Sequence, residues 1–353
     1  MSRKPNYSPK KTLFGLLFLG ALVFYPYLRA QYLPRSVEFG GETMGTYYTV
    51  KIADSRMPKR RLRALHADTQ ALLTKLNTVL STYDPDSAIS RFNSSTNTTP
   101  QRVPESLITV TRHALKLSRE TGGAFDPTVR PLVDLWGFYG NQDQTIPTQA
   151  DIDAARRRVG AHLIQTTGNH ELTKLHGAAS LDLSASAKGY GVDRILQMLV
   201  AAGCANVYVD IGGEIRTRGL APSGKTWRIA VETPLHGVAL GETHYLTINL
   251  EDRAIASSGD YRNFFQANGK RYSHIIDPRS GYPVSNTVAA VSVLAPDCMH
   301  ADTLATALMV MQPDAGMALI AQQTNTEALI ILRDASGKFH DLRSANFNDA
   351  VSE

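Results

Sequence analysis

Asp182-Leu183-Ser184-Ala185-Ser186-Ala187-Lys188-Gly189-Tyr190-Gly191-Val192-Asp193 reads as a strand end, a tight turn and a helix start. Residues 179–183 are short and apolar, with Asp182 as their one charge. Val192, Ile195, Leu196 and Leu199 recur at helical spacing, and Gly203 suits the C′ position that ends a helix. A helix N-terminus leaves backbone N–H groups unpaired and carries partial positive charge, so it suits an anion such as phosphate. Ser184, Ala185, Ser186 and Ala187 are small enough for a ligand to approach the backbone, and Lys188 adds a cation. A good cap and turn would use the same residues, so the rest of the chain must decide.

On either side of this stretch lie 353 residues, 43% of them hydrophobic, enough for a large buried core. The net charge is +5, but its cations are scattered. Lys59-Arg60-Arg61 and Arg156-Arg157-Arg158 fall in helical patterns, as solvated faces do. No basic stripe interleaves with aromatics, which argues against nucleic-acid binding. Cys204 and Cys298 are the only cysteines. Neither has metal-ligand spacing, so packed thiols are expected, with a disulfide between them left open.

Arg3, Lys4, Lys10 and Lys11 precede an uncharged run over residues 12–28 that Arg29 ends. A basic start and an apolar middle have the shape of an export signal. The run is near the lower limit for a membrane span. Leu28-Arg29-Ala30 is a poor cleavage site, and no Cys follows for lipid attachment. The expectation is an uncleaved anchor over residues 1–35 in the inner membrane, with the folded body, residues 36–343, on the periplasmic side. Residues 344–353 are expected as a tail.

Within the body, residues 37–52 read as one or two strands around Glu42-Thr43-Met44-Gly45-Thr46. A helix face follows at Leu62, Leu65, Leu72, Leu76 and Val79, then a turn-rich loop from Ser81 to Ser87. Pro104 opens another helix, which Gly122-Gly123 closes. Thr148 with Asp151 resembles a capping box. Strands are expected at residues 207–210, 227–231, 244–250, 254–258, 288–294, 328–332 and 338–341. Asn268-Gly269 marks a hairpin. Helices are expected at residues 301–311 and 316–323. Strands and helices mix without regular alternation, which predicts an α+β fold with a single catalytic body.

Asp302 and Thr306 lie four apart in a predicted helix, so their oxygens share a face. A carboxylate and a hydroxyl are hard ligands suited to Mg²⁺. The alternative is that Thr306 bonds a carbonyl within the helix while Asp302 complements its dipole. His274 precedes Ile275-Ile276-Asp277-Pro278, and reads either as a proton acceptor beside a ligand or as a braced histidine on a half-buried strand. Arg262 and Arg279 are candidates for phosphate or for pairing with acids.

These segments together resemble the ApbE-type flavin transferases. The resemblance runs from Glu42-Thr43-Met44-Gly45-Thr46 through Ser81-Thr82-Tyr83, Ala124-Phe125-Asp126-Pro127-Thr128 and the opening stretch. It continues through Gly212-Gly213-Glu214, Ser257-Ser258-Gly259-Asp260-Tyr261, Ser273-His274-Ile275-Ile276-Asp277-Pro278 and Ala301 to Leu308. Each motif is weak alone; their common order over residues 40 to about 310 is specific. The resemblance implies Mg²⁺-dependent cleavage of FAD, with FMN passed to a Thr or Ser of another protein and AMP released. It implies acceptors among subunits of membrane redox complexes, of the Na⁺-translocating NADH:quinone reductase or Rnf type. It also implies that Met44, Tyr83, Ala124, Phe125, Asp126, Asp182, Lys188 and Ile276 line FAD. The metal would take the backbone carbonyl of Ala185 with Asp302 and Thr306. His274 lies two residues before Ile276, in register with it if both are on one strand, and is expected to act on the acceptor hydroxyl as base or hydrogen-bond partner. Some members of the family carry an acid at the position of Lys188 and a second Asp at that of Ala305, so this chain has one carboxylate fewer for metal. Two other functions use the same residues: an FAD pyrophosphatase, with water as acceptor, and a non-catalytic flavin-binding protein.

Overall fold

The computed structural model describes residues 36–53, 57–138, 146–168, 170–238, 241–261 and 264–352. Among them, eight strands form one sheet: β1 (Val37–Thr43), β2 (Thr46–Ala53), β3 (Asn206–Ile211), β4 (Glu214–Arg218), β5 (Ala254–Gly259), β6 (Val288–Ala295), β7 (Glu327–Arg333) and β8 (Phe339–Arg343). They stand side by side in chain order, and every neighbouring pair is antiparallel. The fold is therefore a long meander, with helices and small hairpins inserted between successive strands. This is the expected mixture of helices and sheets without βαβ alternation.

Tight turns set the register. Met44 and Gly45 join β1 to β2 with φ of 49° and 73°, the left-handed pair that a two-residue hairpin needs. Gly212 and Gly213 join β3 to β4 with φ of 66° and 102°. The Asn268-Gly269 hairpin forms as expected, between Phe264–Ala267 and Lys270–Ser273.

Both faces of the sheet are covered. On one lie α1 (Lys59–Leu80), α2 (Glu105–Glu120), α3 (Ser184–Ala201) and α4 (Cys298–Val310). The hairpin of Trp227–Val231 with Leu246–Leu250 covers the other, together with the short turn Phe347–Ala350. Along β6, Val291, Val293 and Ala295 pack toward the helices while Ala290 and Leu294 pack toward the hairpin. Two buried faces explain why this strand is a continuous apolar run. Helix α4 is apolar on nearly all sides because it is buried on nearly all sides.

The capping box forms: Thr148 Oγ1 accepts from Asp151 N–H, and Asp151 accepts from Thr148 N–H. Three expectations are corrected. Residues 179–183 form no strand; the peptide groups of Leu181 bond instead to the Asn93 amide at 2.7 and 2.8 Å. With that backbone satisfied, the helix begins directly at Ser184, so the small residues 184–187 form its first turn. Residues 344–352 do not trail as a tail: Phe347 is fully buried and Val351 bridges to Ile248. Finally, His274 lies on a bend between two strands rather than within one. The expected anchor lies outside the described residues, and among the described residues no helix is long and apolar enough to cross a membrane.

Candidate active site

The site is built where α3 crosses α4. Gly189 makes the close approach possible: a Cβ there would sit 2.3 Å from the Cys298 carbonyl oxygen. Three further contacts lock the crossing. The Ser186 and Thr303 hydroxyls meet at 2.9 Å. Asp193, on α3, caps α4 by accepting from the N–H groups of Cys298 and Met299, both at 2.9 Å. Arg216 of β4 pairs with the same carboxylate at 2.6 Å. Burial still holds the Asp193 carboxyl up at about 6, against the pull of Arg216 and the two amides. Cys298 is thus a packed thiol at the crossing, and Cys204 is likewise free and buried.

At this crossing Gly189 N–H donates to Asp302 Oδ2 at 3.0 Å. The other carboxylate oxygen, Oδ1, lies 3.9 Å from Lys188 Nζ, and that ammonium lies 3.4 Å from Glu214 Oε1. Asp302 is 2% exposed and Glu214 4%. Both carboxylates are buried, while the Lys188 side chain that joins them keeps 29% of its surface exposed. Burial raises the Asp302 carboxyl, opposed by Lys188 and Gly189. Burial raises Glu214 to about 8, with Lys188 opposing and Asp302 adding to the rise. For Lys188 burial pulls downward, but Asp302 and Glu214 outweigh it and hold the ammonium charged. Glu214 Oε2 is buried without a hydrogen-bond partner among the described residues. A second charge-bearing group at this point would use that oxygen.

Asp302 and Thr306 do share a face of α4, and Thr306 Oγ1 lies 3.4 Å from Ser258 Oγ on β5. Among the described residues no group of three or more His, Cys, Asp or Glu forms a metal cluster. The donors at this face are the Asp302 carboxylate and the Thr306 and Ser258 hydroxyls, and the carbonyl of Ala185 that the resemblance implies belongs to the first turn of α3. That hard, sparse set fits Mg²⁺, which keeps several waters and takes phosphate oxygens, better than it fits zinc. Ala305 is fully buried among apolar side chains and contributes no donor.

The other expected FAD-lining residues divide. Asp182 N–H donates to the Pro127 carbonyl at 2.7 Å, which joins the Ala124-Phe125-Asp126 loop to the start of α3. The Met44 side chain lies against Gly191 on the same helix. Asp126 is turned inward: its carboxylate accepts from Thr128 N–H, Thr128 Oγ1 and Ala161 N–H at 2.6 to 2.8 Å. Burial raises its pKa and these bonds oppose the rise. Asp126 therefore shapes the loop. Ala124 and Phe125 are buried, whereas Tyr83 stands 74% exposed on its loop. Ile276 packs in a separate apolar cluster with Trp136 and Phe265, and His274 meets the edge of Phe138. The turn after them lies near the loop, since Arg279 is the nearest side chain to Gly123. Arg279 pairs with Asp277 through two contacts at 2.9 Å, while Arg262 lies outside the described residues.

Two features were not read from the sequence. Most amides in the first turn of α3 are already engaged: Ser184 N–H donates to Asp182 Oδ1, and Ser186 and Ala187 donate to the Leu183 carbonyl. Positive charge there comes from Lys188 and the helix dipole more than from a row of open N–H groups. Glu214 was also missed. Its signal was present: an acid follows two glycines and precedes a buried Ile215, where only a partnered carboxylate is tolerated.

The ApbE family model matches residues 44–330. The FAD:protein FMN transferase of Vibrio cholerae is 41% identical over 90% of this chain and 93% of its own length. That of Haemophilus influenzae is 38% identical over 85% and 88%. The solved flavin transferase ApbE from Vibrio cholerae superposes with a TM-score of 0.80 at 39% identity, covering 90% of this chain and 99% of that one. The flavinyl transferase ApbE of Pseudomonas stutzeri gives 0.80 at 36%, covering 90% and 97%. The chain belongs to the ApbE family.

Proposed function

We propose that this protein is a Mg²⁺-dependent FAD:protein FMN transferase, which moves the FMN half of FAD onto a Thr or Ser of a partner protein. The observation that carries the reading is the Lys188–Asp302–Glu214 cluster at the α3–α4 crossing, with its two carboxylates buried, in a chain whose relatives bear the name FAD:protein FMN transferase. In the reaction the acceptor oxygen bonds to the FMN phosphorus, the bond from that phosphorus to the bridging oxygen breaks, and AMP leaves with that oxygen. The hydroxyl proton passes to a base. Transfer of this kind asks the protein mainly for positioning and charge.

Asp302, Thr306 and the Ala185 carbonyl would hold Mg²⁺, which when bound neutralises charge on the diphosphate. Lys188 supplies a fixed cation beside the same carboxylate. Glu214 keeps that ammonium in place and charged. Met44, Tyr83, Ala124, Phe125, Asp182 and Ile276 line the nucleotide in this reading, Asp126 shapes the loop that carries two of them, and His274 accepts the hydroxyl proton or orients that group. The basic start and the apolar run over residues 12–28 support an inner-membrane anchor with the body in the periplasm. That location matches acceptors in membrane redox complexes, of the Na⁺-translocating NADH:quinone reductase or Rnf type.

The test is to separate FAD, FMN and AMP after incubation with and without Mg²⁺ and the unflavinylated FMN-carrying subunit of such a reductase. AMP should appear only with both, and free FMN should not accumulate. AMP with an equal amount of free FMN, indifferent to the subunit, would make the protein a pyrophosphatase. FAD retained without any AMP would make it a binding protein.

A further inference from the structure

We propose that the acceptor enters as an extended segment that pairs antiparallel with the open half of β5, setting its Thr or Ser opposite Ser258. This rests on the transferase reading above. The ladder between β4 and β5 stops early: only Ala254 with Arg216 and Ile255 with Ile215 are paired. Yet β5 continues against β6 as far as Gly259 with Ala290. Beyond Glu214, the Gly212-Gly213 turn takes the chain back into β3 instead of along β5.

Peptide groups alternate in direction along a strand. Arg253 accepts from Thr217 N–H on the β4 side, and Asp260 N–H donates to Ala289 on the β6 side. Ser257 and Gly259 share the parity of Arg253, so their peptide groups point away from β6. A cavity of about 170 Å³ lies there, lined in part by Gly212, Gly213, Ile229, Ile255, Ser257 and Ser258. Ser257 is exposed to it, although it sits in the middle of the sheet.

Side chains alternate as well. Ile255 packs toward the hairpin and Ala256 toward the helices. Ser258 therefore faces the helices, as its 3.4 Å approach to Thr306 shows. Residues paired across a ladder share a face. An acceptor residue opposite Ser258 would thus present its hydroxyl on the side of Thr306 and Asp302. Its two neighbours would point into the cavity, whose Ile229 and Ile255 walls favour small apolar side chains. Backbone bonds for affinity and alternate pockets for specificity are the usual division in strand addition.

The test uses the whole protein, FAD, Mg²⁺ and the unflavinylated reductase subunit as probe. Ser257→Phe fills the cavity. It should raise the KM for the subunit at least tenfold and leave the Kd for FAD within twofold. An unchanged KM, or FAD affinity lost in step with transfer, overturns the proposal. A nonapeptide centred on the acceptor Thr of that subunit gives a second reading that does not depend on a variant's folding. N-methylation of the residue before or after the Thr should weaken its competition at least tenfold, and N-methylation of the Thr amide should not; equal effects overturn the pairing. If the unmodified protein fails to label the subunit at all, the transferase reading falls and takes this proposal with it. If it labels the subunit and Ser257→Phe is indifferent, the strand addition alone falls.

Discussion

Gly189→Ala isolates the helix crossing from the chemistry. The added methyl carbon would lie 2.3 Å from the Cys298 carbonyl oxygen, 2.6 Å from its carbon and 2.8 Å from Met299 Cα. All three are backbone atoms of α4, so no side chain can swing aside. Cβ contacts below 3.0 Å are essentially never seen, and the helices must part by about 0.7 Å. Overpacking of this kind costs about 1–3 kcal/mol. Weakening the Gly189 N–H bond to a buried carboxylate adds about 1.5–3 kcal/mol. Alanine's better helix propensity returns about 1 kcal/mol. The net loss is about 1.5–5 kcal/mol, which in a body of about 300 residues lowers Tm by about 2–8 °C. Because Asp302 is held by the same amide, Mg²⁺-dependent AMP release should fall as well, even well below the new Tm. The assay is a thermal unfolding scan beside a Mg²⁺ titration of turnover. A variant that melts within about 1 °C of the parent and keeps its Mg²⁺ response would refute the tight crossing as the support of Asp302.

Three other perturbations bear on the site and on the fold. Asp302→Asn keeps the Gly189 acceptor but removes the charge, and should cut Mg²⁺-dependent AMP release by ~10² or more, with Thr306→Val doing less because a hydroxyl is neutral; steady-state rates across Mg²⁺ concentrations decide it. His274→Ala should preserve FAD affinity and Tm while lowering single-turnover transfer, and transfer at the parent rate removes its role. Burial, with help from His300 and Lys116, pulls the pKa of His113 down to about 4 from an ordinary 6.5. The unfolded chain therefore binds this proton first, and stability falls as pH drops from 6.5 toward 4, by at most about 3 kcal/mol. His113→Leu should flatten that slope in denaturant titrations at pH 7, 6 and 5, and an identical slope would count against it.

Much of the fold was legible because its signals are local. Asn268-Gly269, Pro104 and the Thr148/Asp151 box each need only a few neighbouring residues to act. The shared face of Asp302 and Thr306 followed from helical spacing alone. What escaped depended on partners distant in sequence. Residues 179–183 look like a strand, but the Asn93 amide satisfies Leu181 from 88 positions away. The final residues look polar and loose, yet Phe347 finds a buried place against β7 and the inserted hairpin. His274 was read as in register with Ile276, and a bend between them breaks that alternation. Glu214 gained meaning only when Lys188, 26 residues earlier, was brought to 3.4 Å.

The most direct measurement is the intact mass and peptide map of the unflavinylated reductase subunit after incubation with this protein, FAD and Mg²⁺. The account predicts a gain of one FMN less one water, on a single Thr or Ser, with one AMP released per subunit and none of this with Asp302→Asn. An unmodified subunit recovered while FAD is consumed to free FMN and AMP would contradict it.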